Sequence, residues 1–351
     1  MLQTVLIYGA GRTGVEVAKK CADAGISIKV FLDMAADGEC CGISVVKADD
    51  IPEIIDRELP VILALHHGVH DAVQTLSSAG FSKLITLAAF NAELRRCKID
   101  AITIGPLFDL ENFADEQCFA AEAANLLTDE RSKEIFKNHL RYLRGGSIDA
   151  LERKDSGIMY FPDNRPFEFS GKVTMADCGS YIGDTIMSLM PYVEFEKIYA
   201  FDPDPLVASQ LRENLSRYKG LDFHIIQAGL GSCRGQIAFA EDGTGRGVIR
   251  EDGGIKIDIV TLDEVFSNVK VDFIKMDIEG AEADALLGAA NVIKRDMPLL
   301  EVSVYHRPGD FWKLPLLIKE LNPEYSIYLR CGDDSFHDTV AVAVPKRFKL
   351  R

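Results

Sequence analysis

Two glycine-rich turns, each followed by an acid at the end of the next apolar segment, are the features of this sequence best suited to bind a nucleotide. The first turn and its acid consist of Gly9, Gly11, Arg12, Thr13, Gly14 and Asp33. In a G-x-G-x-x-G turn the glycines allow a tight bend, close approach to a phosphate and close packing of the helix on the strand. Asp33, about twenty residues beyond, is placed to accept hydrogen bonds from ribose hydroxyls. These residues predict a nucleotide site.

The second turn reads D-x-G-x-x-G-D and differs from the first by its acids. Its residues and those that accompany it are Asp177, Gly179, Ser180, Tyr181, Gly183, Asp184, Asp202, Pro203 and Ala228. Asp177 and Asp184 would repel a pyrophosphate and attract a ligand that carries sulfonium and ammonium groups. Asp202 suits a ribose diol, and Ala228 is expected beside an adenine. The turn therefore favours S-adenosylmethionine over NAD, unless Asp177 only ends a strand and Asp184 only caps a helix.

Three histidines follow a short apolar run, where the carboxyl end of a strand is expected. His66, His67 and His70 include pairs at the spacing of one helical turn, which a metal ion could use. We favour a polar loop that faces a ligand. The eight cysteines show no C-x-x-C pair and no spacing with histidine that suits zinc, so we expect reduced thiols and no metal.

Apolar runs alternate with helical patterns around both turns, which predicts parallel sheets with crossover helices. We expect strands over 42–46, 60–65 and 84–87 and helices over 50–57 and 71–78 in the first part, and a helix over 126–143 beyond it. A hairpin is expected over 236–249, strands over 271–276 and 299–305, and a helix that continues to about Lys294. The predicted fold class is α/β. The predicted domains are a Rossmann-like domain over 1–95, a helical connector over 96–169 and a larger α/β domain over 170–351.

Composition excludes several classes of protein. The 351 residues carry 39 Lys and Arg against 54 Asp and Glu, a net charge of −15 that repels nucleic acid and anionic membranes. No apolar run reaches the length of a membrane helix, and the N-terminus lacks a charged region before its apolar stretch. We expect a cytoplasmic protein whose partner is a small molecule or a glycan. We expect no nucleic-acid or membrane partner, and a homodimer is compatible with this composition.

The second half resembles the FkbM family of S-adenosylmethionine-dependent methyltransferases. The similarity extends over about 128–345 and lies in the strings YFP, ADCGSYIGDT, YAFDPDP, AGLGSCRG, VTLDE, VDFIKMDIEGAE and EVSVYH. Asp202 stands where the family usually has glutamate. The resemblance implies a seven-stranded class I methyltransferase domain and O-methylation of a sugar, glycan or related metabolite.

Residues 1–90 resemble the Rossmann-like N-terminal domain of bacterial sugar-nucleotide acyltransferases. The similarity lies in the order VLIYGAGRTG, VFLD, CGISVVKADDIPE, PVILALHH and SSAGFSKLITL. It implies a nucleotide sugar as the ligand of the first glycine turn, with NAD as the alternative. Arg12 and Thr13 replace the small residue and histidine that are usual there.

Methyl transfer to an alcohol calls for a base close to the reacting hydroxyl. We expect the catalytic residues among Asp277, Glu279 and His306, which follow neighbouring strands, and we also expect Asp277 to bind the cationic cofactor. His306 would have to be neutral to act as the base. Alternatively, Glu279 caps a helix, His306 only orients the substrate, or a carboxylate pair holds a divalent cation.

Two other functions compete with methyl transfer. An NAD-dependent oxidoreductase would use the first glycine turn and Asp33. A non-catalytic nucleotide-binding module would bind ligands at both turns without turnover.

Overall fold

The computed structural model describes residues 2–102, 113–240, 248–249, 255–307, 309–333 and 336–350. The described chain divides into two compact units. Unit 1 comprises Met1–Ala114, Glu134–Lys154 and Asp333–His337, and unit 2 comprises Asp115–Lys133, Asp155–Gly332 and Asp338–Arg351. The region 96–169, for which a connector is predicted, supplies segments to both units. The turn of the hairpin that is expected over 236–249 includes residues 241–247, which lie outside the described residues.

In its described part, unit 1 is built on a six-stranded sheet in the order β3-β4-β2-β1-β5-β6. Its strands are β1 (Thr4–Tyr8), β2 (Ser27–Asp33), β3 (Gly38–Cys40), β4 (Ile43–Lys47), β5 (Val61–Leu63) and β6 (Leu84–Ile85). Its helices are α1 (Arg12–Asp23), α2 (Val69–Ser78) and α3 (Leu87–Arg96). Neighbouring strands run parallel except β3, which is antiparallel to β4.

The prediction of a helix over 50–57 is wrong. A single 3₁₀ turn, Ala48–Asp50, stands there, and residues 51–59 form no further helix. Ile51 is extended, with φ −65° and ψ 114°. A residue that precedes proline is disfavoured in the helical region, so Pro52 ends the helix almost as it begins.

Two helices lie between the sheets in the sequence: α4 (Phe113–Leu126) and α5 (Glu130–Gly145). α5 contributes residues to both units. Asp129 Oδ1 accepts a hydrogen bond of 2.9 Å from the backbone N–H of Ser132, which stabilises the first turn of α5. The predicted helix at 126–143 is therefore present, with its start four residues later.

Unit 2 contains a seven-stranded sheet among its described residues, in the order β12-β11-β10-β17-β18-β20-β19. The strands from β7 to β15 are β7 (Gly157–Ile158), β8 (Phe161–Pro162), β9 (Phe167–Glu168), β10 (Val173–Cys178), β11 (Phe195–Phe201), β12 (Phe223–Ile226), β13 (Gly229–Leu230), β14 (Gly235–Ala240) and β15 (Val248–Ile249). The later strands are β16 (Ile255–Val260), β17 (Phe273–Met276), β18 (Leu299–Ser303), β19 (Tyr325–Cys331), β20 (Thr339–Pro345) and β21 (Lys349–Leu350). The helices are α6 (Asp184–Leu189), α7 (Pro205–Ser216), α8 (Leu262–Val265), α9 (Glu282–Leu287), α10 (Ala290–Asp296) and α11 (Asp310–Leu321).

The register of the large sheet brings the residues of the second turn together. β12, β11, β10, β17 and β18 run parallel, and β20 is antiparallel to both of its neighbours. Cys178 at the end of β10 is level with Phe201 of β11 and Met276 of β17. Because these strands end at one edge, the residues that follow them meet there. A buried apolar cluster of this sheet includes Met175 of β10 and Phe273 of β17.

The single helix expected after β17 is two helices, α9 and α10. Gly288 ends α9 as its C-cap. A Cβ on Gly288 would lie 2.1 Å from the carbonyl oxygen of Gly231, so the backbone approaches too closely for any other residue. This close packing is a tertiary constraint, and it interrupts a pattern that reads as one helix.

No helix in the described ranges combines the length and the apolar character needed to cross a membrane.

Candidate active site

The second glycine turn follows β10 and lies against the end of β17. Gly179 has φ +80°, and a Cβ there would lie 1.8 Å from the carbonyl oxygen of Asp277. The backbone N–H groups of Gly179 and Ser180 both donate to the carbonyl of Phe201 at 3.0 Å. The turn is thus fixed between the ends of β11 and β17, and Gly179 is required because only glycine fits this contact.

Asp202, the acid predicted to bind the ribose diol, lies directly beside this turn. Its Oδ2 accepts a hydrogen bond of 3.1 Å from the N–H of Tyr181, and its Oδ1 accepts one of 3.0 Å from the N–H of Asp204. Burial raises the pKa of Asp202 to about 6, although the two backbone donors oppose that shift. Each carboxylate oxygen has a second lone pair with which to accept a hydroxyl proton.

The helix after Asp202 begins at Pro205, and Asp204 caps it by accepting hydrogen bonds from the N–H groups of Leu206 and Val207. Pro203 connects the strand to this cap. A proline in the first helical position and an aspartate before it are strong helix-start residues. They hold the chain at Asp202 in one conformation. Ala228, expected beside the adenine, is buried after β12.

Asp177 does not have the role that its charge suggests. Its side chain is fully buried, and its Oδ1 lies 3.1 Å from Nζ of Lys275. Lys275 is also buried and donates a hydrogen bond of 2.7 Å to the carbonyl of Gly179. Burial raises the pKa of Asp177, and the charge of Lys275 opposes the rise. The Asp177–Lys275 pair thus stabilises the backbone of the glycine turn from the protein interior. This role corrects the expectation that Asp177 attracts a cationic ligand.

Asp184 is the other acid expected to attract that ligand. It is exposed in the first turn of α6, and Gly183 is the N-cap of that helix. Asp184 is therefore not the helix cap that the alternative interpretation required. Its charge is near enough to contribute to the raised pKa of the buried Asp177, and its contact with a cationic ligand stays a prediction.

Asp277 is the centre of a largely buried cluster at the end of β17, and its own side chain is 25% exposed. Its Oδ2 accepts a hydrogen bond of 2.9 Å from the hydroxyl of Tyr160, and its Oδ1 accepts one of 3.2 Å from the hydroxyl of Tyr305. The hydroxyl of Tyr160 is also 3.2 Å from that of Ser303. Two phenols directed at one carboxylate stabilise its ionised form.

His306 lies between two carboxylates. Its Nε2 is 3.2 Å from Oδ1 of Asp277, and its Nδ1 is 2.8 Å from Oε1 of the buried Glu282. Burial alone would lower the pKa of His306, but the hydrogen bonds to Asp277 and Glu282 and their charges raise it to about 10. His306 is therefore an imidazolium at neutral pH. The expectation of a neutral His306 that acts as a base is wrong.

The same contacts determine the charge of Asp277. Burial would raise its pKa, but the hydrogen bond from His306 and the charge of Lys275 hold that pKa well below its usual range. A carboxylate this strongly stabilised is a weak base.

Glu279 differs from its neighbours by being accessible. Its side chain is 62% exposed, with Oε2 3.9 Å from Nε2 of His306. Its φ of +54° is a left-handed conformation that glutamate adopts at a cost of roughly 1–3 kcal/mol. Glu279 lies three residues before the start of α9, and the N-cap is Ala281, so Glu279 is not the helix cap that was the alternative.

A divalent cation was the remaining alternative for these acids. Ligand atoms of Asp277, Glu282 and His306 lie within 4.8 Å of one another. Both ring nitrogens of His306 already contact a carboxylate, so protonated His306 pairs with both acids, and a divalent cation at this group stays an alternative. Of the cluster, Lys275, Glu282 and the two tyrosines were not identified from the sequence. All four stand inside the strings that carry the family resemblance, and this was the available signal.

The first glycine turn, in unit 1, has the packing expected of it. Gly9 has φ +104°, and a Cβ on Gly14 would lie 2.0 Å from the carbonyl oxygen of Gly9. A Cβ on Gly11 would meet nothing within 4 Å, so this part of the loop is open. Arg12 and Thr13 form the start of α1.

Asp33 binds the protein backbone with both oxygens. Oδ2 accepts from the N–H of Ala10 at 2.8 Å, and Oδ1 accepts from those of Ala35 and Ala36 at 2.9 and 3.0 Å. These bonds lower its pKa, against the effect of burial. Asp33 thereby shapes the loop, and its contact with a ribose stays a prediction, as does the ligand of this turn.

Sequence and structure comparisons agree on unit 2. Residues 177–339 match the family model described as the Methyltransferase FkbM domain. This segment of the chain is therefore similar to an FkbM methyltransferase domain. The glycine turn, Asp202, Asp277 and His306 all fall within the matched segment, and Tyr160 lies before it. Among curated proteins, none matches the chain.

A solved FkbM methyltransferase from Methylobacillus flagellatus KT shares the fold. It superposes with a TM-score of 0.71 at 22% identity, over 97% of this chain and 90% of that one. A precorrin-6y C5,15-methyltransferase from Geobacter metallireducens GS-15 matches 51% of this chain and 84% of its own, at 11% identity and a TM-score of 0.34. A fibrillarin from Aeropyrum pernix, with bound S-adenosyl-L-methionine, matches 52% and 70%, at 13% identity and a TM-score of 0.33. The first comparison shows an α/β fold of the class I methyltransferase type.

Proposed function

We propose that this methyltransferase transfers a methyl group from S-adenosylmethionine to a hydroxyl of a sugar, glycan or related metabolite. The observation that carries the proposal is the junction of the second glycine turn with Asp202, where the N–H of Tyr181 donates to the carboxylate. A strand-tip acid bonded to a glycine turn is the arrangement that holds a nucleoside ribose in doubly wound folds.

The residues present fit S-adenosylmethionine both at Asp202 beside the glycine turn and at Asp277. Asp202 has acceptor capacity for a diol, beside a turn whose backbone comes close to the end of β17. When bound, the donor supplies an electrophilic methyl group on a sulfonium cation. The carboxylate of Asp277, whose backbone contacts the same turn, is held ionised and favours a positive charge nearby.

Glu279 is the residue that supports proton removal from the acceptor. Asp277 is too weak a base, and His306 is protonated. Glu279 is the accessible carboxylate at the same strand edge. It would accept the hydroxyl proton as the acceptor oxygen bonds to the methyl carbon, while the electron pair of the broken carbon–sulfur bond remains on sulfur.

His306 and the tyrosines position the reacting groups. The imidazolium ties Asp277 to Glu282, and Glu282 Oε1 also accepts a hydrogen bond of 2.9 Å from the N–H of Ile278. The segment that carries Glu279 is therefore fixed at both sides. Such rigidity keeps acceptor and donor at near-attack distance, which can supply several kcal/mol of the barrier reduction.

Ligand binding tests the first half of the proposal. The full chain is titrated with S-adenosylmethionine, S-adenosylhomocysteine and NAD by calorimetry, and its Tm is measured with each ligand. We expect both sulfur nucleosides to bind and to raise the Tm. Stabilisation by NAD alone would overturn the proposal in favour of an oxidoreductase.

Turnover tests the second half. The protein is incubated with methyl-labelled donor and, in parallel, with a panel of nucleotide sugars, free sugars and a glycan fraction from cell extract. We expect label in one hydroxyl-bearing product class, in an ether that resists mild base. Donor binding without transfer to any acceptor would support the non-catalytic module instead.

A further inference from the structure

Arg307 is a cation at the edge of the candidate site that the proposed methyl transfer does not use. It directly follows His306 and is exposed. Within the part of the chain that the structure describes, its guanidinium forms no ion pair and no hydrogen bond. Other arginines of unit 2 do pair with an acid: Arg131, Arg165, Arg217, Arg295, Arg330 and Arg347.

The stem of Arg307 packs on the turn that carries Glu279. A Cβ on Gly280 would lie 2.8 Å from Nε and 3.1 Å from Cγ of Arg307, so the glycine leaves the space that this stem fills. Gly280 also has φ +98°, which other residues rarely adopt. Because Gly280 directly follows Glu279, the guanidinium group lies next to the backbone of the proposed base.

Asp310 fixes the backbone of Arg307. Oδ2 of Asp310 accepts a hydrogen bond of 2.8 Å from the N–H of Arg307, and the N–H of Asp310 donates to the carbonyl of Arg307 at 3.1 Å. Burial and the charge of Glu282 raise the pKa of Asp310 to about 7, so this acid is only partly ionised at neutral pH. Asp310 therefore holds the main chain of Arg307 and leaves the guanidinium group unpaired.

Glu279, the other acid close to Arg307 in this turn, faces a different cation. Its Oε2 lies 3.9 Å from Nε2 of His306. The two acids nearest to Arg307 thus have other contacts, while its stem and backbone are held in place. A side chain that is held before binding loses less entropy when a ligand binds.

The chemistry of an unpaired guanidinium group selects an anion. Arginine stays charged at neutral pH, and its planar fork of N–H donors matches two oxygens of a phosphate or a carboxylate. Such bidentate, charge-assisted hydrogen bonds are among the strong ones. In a chain with a net charge of −15, a fixed cation next to the proposed base favours an anionic ligand locally over a neutral one.

We propose that Arg307 forms an anion subsite for the methyl acceptor, and that the acceptor carries a phosphate or carboxylate group near the hydroxyl that is methylated. The inference rests on the proposed methyl transfer and narrows its acceptor to a phosphorylated or acidic sugar. Arg307 holds the anionic group, which keeps the neighbouring hydroxyl within reach of Glu279.

Protection from chemical modification tests the subsite without turnover. The full chain, with S-adenosylhomocysteine present, reacts with phenylglyoxal alone or with glucose, glucose 1-phosphate, glucuronate or pyrophosphate, and modified arginines are mapped by mass spectrometry. We expect an anion to slow the modification of Arg307 by about threefold or more, and glucose to have no effect. The phosphate and carboxylate probes distinguish the two kinds of anion.

Arg212, which is exposed on α7, is the matched control and should react at the same rate under all these conditions. Equal modification of Arg307 with and without every anion would overturn the proposal.

Turnover of matched sugars tests the role of the subsite in the reaction. Methyl-labelled donor is supplied with pairs of neutral and anionic sugars, and we expect label in the anionic members. Arg307→Met keeps the stem but removes the charge, so it should raise KM for such an acceptor by about tenfold or more. kcat and donor affinity should stay within about threefold. Arg307→Lys should recover part of the loss, because it restores the charge but not the fork.

The subsite and the methyl transfer fail in different ways. Label transfer to neutral sugars that Arg307→Met leaves unchanged would overturn the anion subsite and leave the methyltransferase activity intact. Protection of Arg307 by an anion, without label transfer to any acceptor, would support the subsite and count against methyl transfer. Both Arg307 variants keep the backbone bonds to Asp310, so their Tm should lie close to that of the wild type.

Discussion

His306 Nε2 lies 3.2 Å from Asp277 Oδ1, and each residue fixes the charge of the other. The pKa of His306 rises to about 10, while that of Asp277 falls well below its usual range. The result is a histidine that positions an acid and does not remove protons. This relationship supports the proposal that Glu279 is the base, and it predicts a defined dependence of stability on pH.

The free energy of unfolding should fall as the pH rises from about 6.5 to about 10. His306 binds its proton more tightly in the folded state, so its contribution is complete below the unfolded pKa of about 6.5 and is lost through the folded pKa of about 10. We expect a loss of roughly 2–5 kcal/mol over this range, measured by urea unfolding. His306→Gln should remove most of this slope, and His224→Gln should keep it. An unchanged slope in His306→Gln would show that His306 is neutral in the folded protein.

Glu279→Gln should lower kcat by about 10²-fold or more, since it removes the base but keeps the size of the side chain. Donor affinity, measured by calorimetry, should stay within about threefold of the wild type. Asp284→Asn, an exposed acid in the first turn of α9, is the matched control and should retain activity. If Glu279→Gln is fully active, proton removal lies elsewhere.

Asp202→Ala should weaken S-adenosylmethionine binding by about 1–3 kcal/mol, because it removes the acceptor proposed for the ribose diol. Asp222→Ala provides the control, since Asp222 is a 55% exposed acid whose carboxylate pairs with Lys197 on the surface. Affinity is read by calorimetry, and the Tm without ligand reports how far the lost bond to Tyr181 disturbs the turn. Equal affinity in the Asp202 and Asp222 variants would contradict the proposed contact.

Lys275→Met should destabilise the protein by about 3–5 kcal/mol, because it leaves Asp177 buried and unpaired. Combining it with Asp177→Leu should restore a large part of that loss, since a buried pair can be replaced by apolar side chains. Urea unfolding of the two single variants and the double variant measures the coupling. Additive losses would show that the two side chains do not act as a pair.

Local patterns predicted the parts of this molecule whose structure depends on neighbouring residues in the chain. The glycines at 9, 179 and 183, which have positive φ, the acids after the strands and the alternation of strand and helix each satisfy a local backbone requirement, and the α/β fold follows from them. The prediction of a helix over 50–57 was wrong because the local effect of Pro52 outweighed the apolar pattern. The helix after β17 was divided because Gly288 contacts Gly231 from a distant segment.

The charges of the candidate site were decided by tertiary structure alone. The types and spacing of Asp177, Asp277 and His306 fix which groups can ionise, but not which of them share a buried space. Lys275 takes Asp177 out of the ligand's reach, and Glu282 makes His306 a cation, because burial makes a pair of opposite charges far stronger than it is in water. By itself the sequence determined the fold class and the strand edge at which these residues meet. Only the folded chain decided which carboxylate is fixed as an anion and which remains accessible for proton transfer.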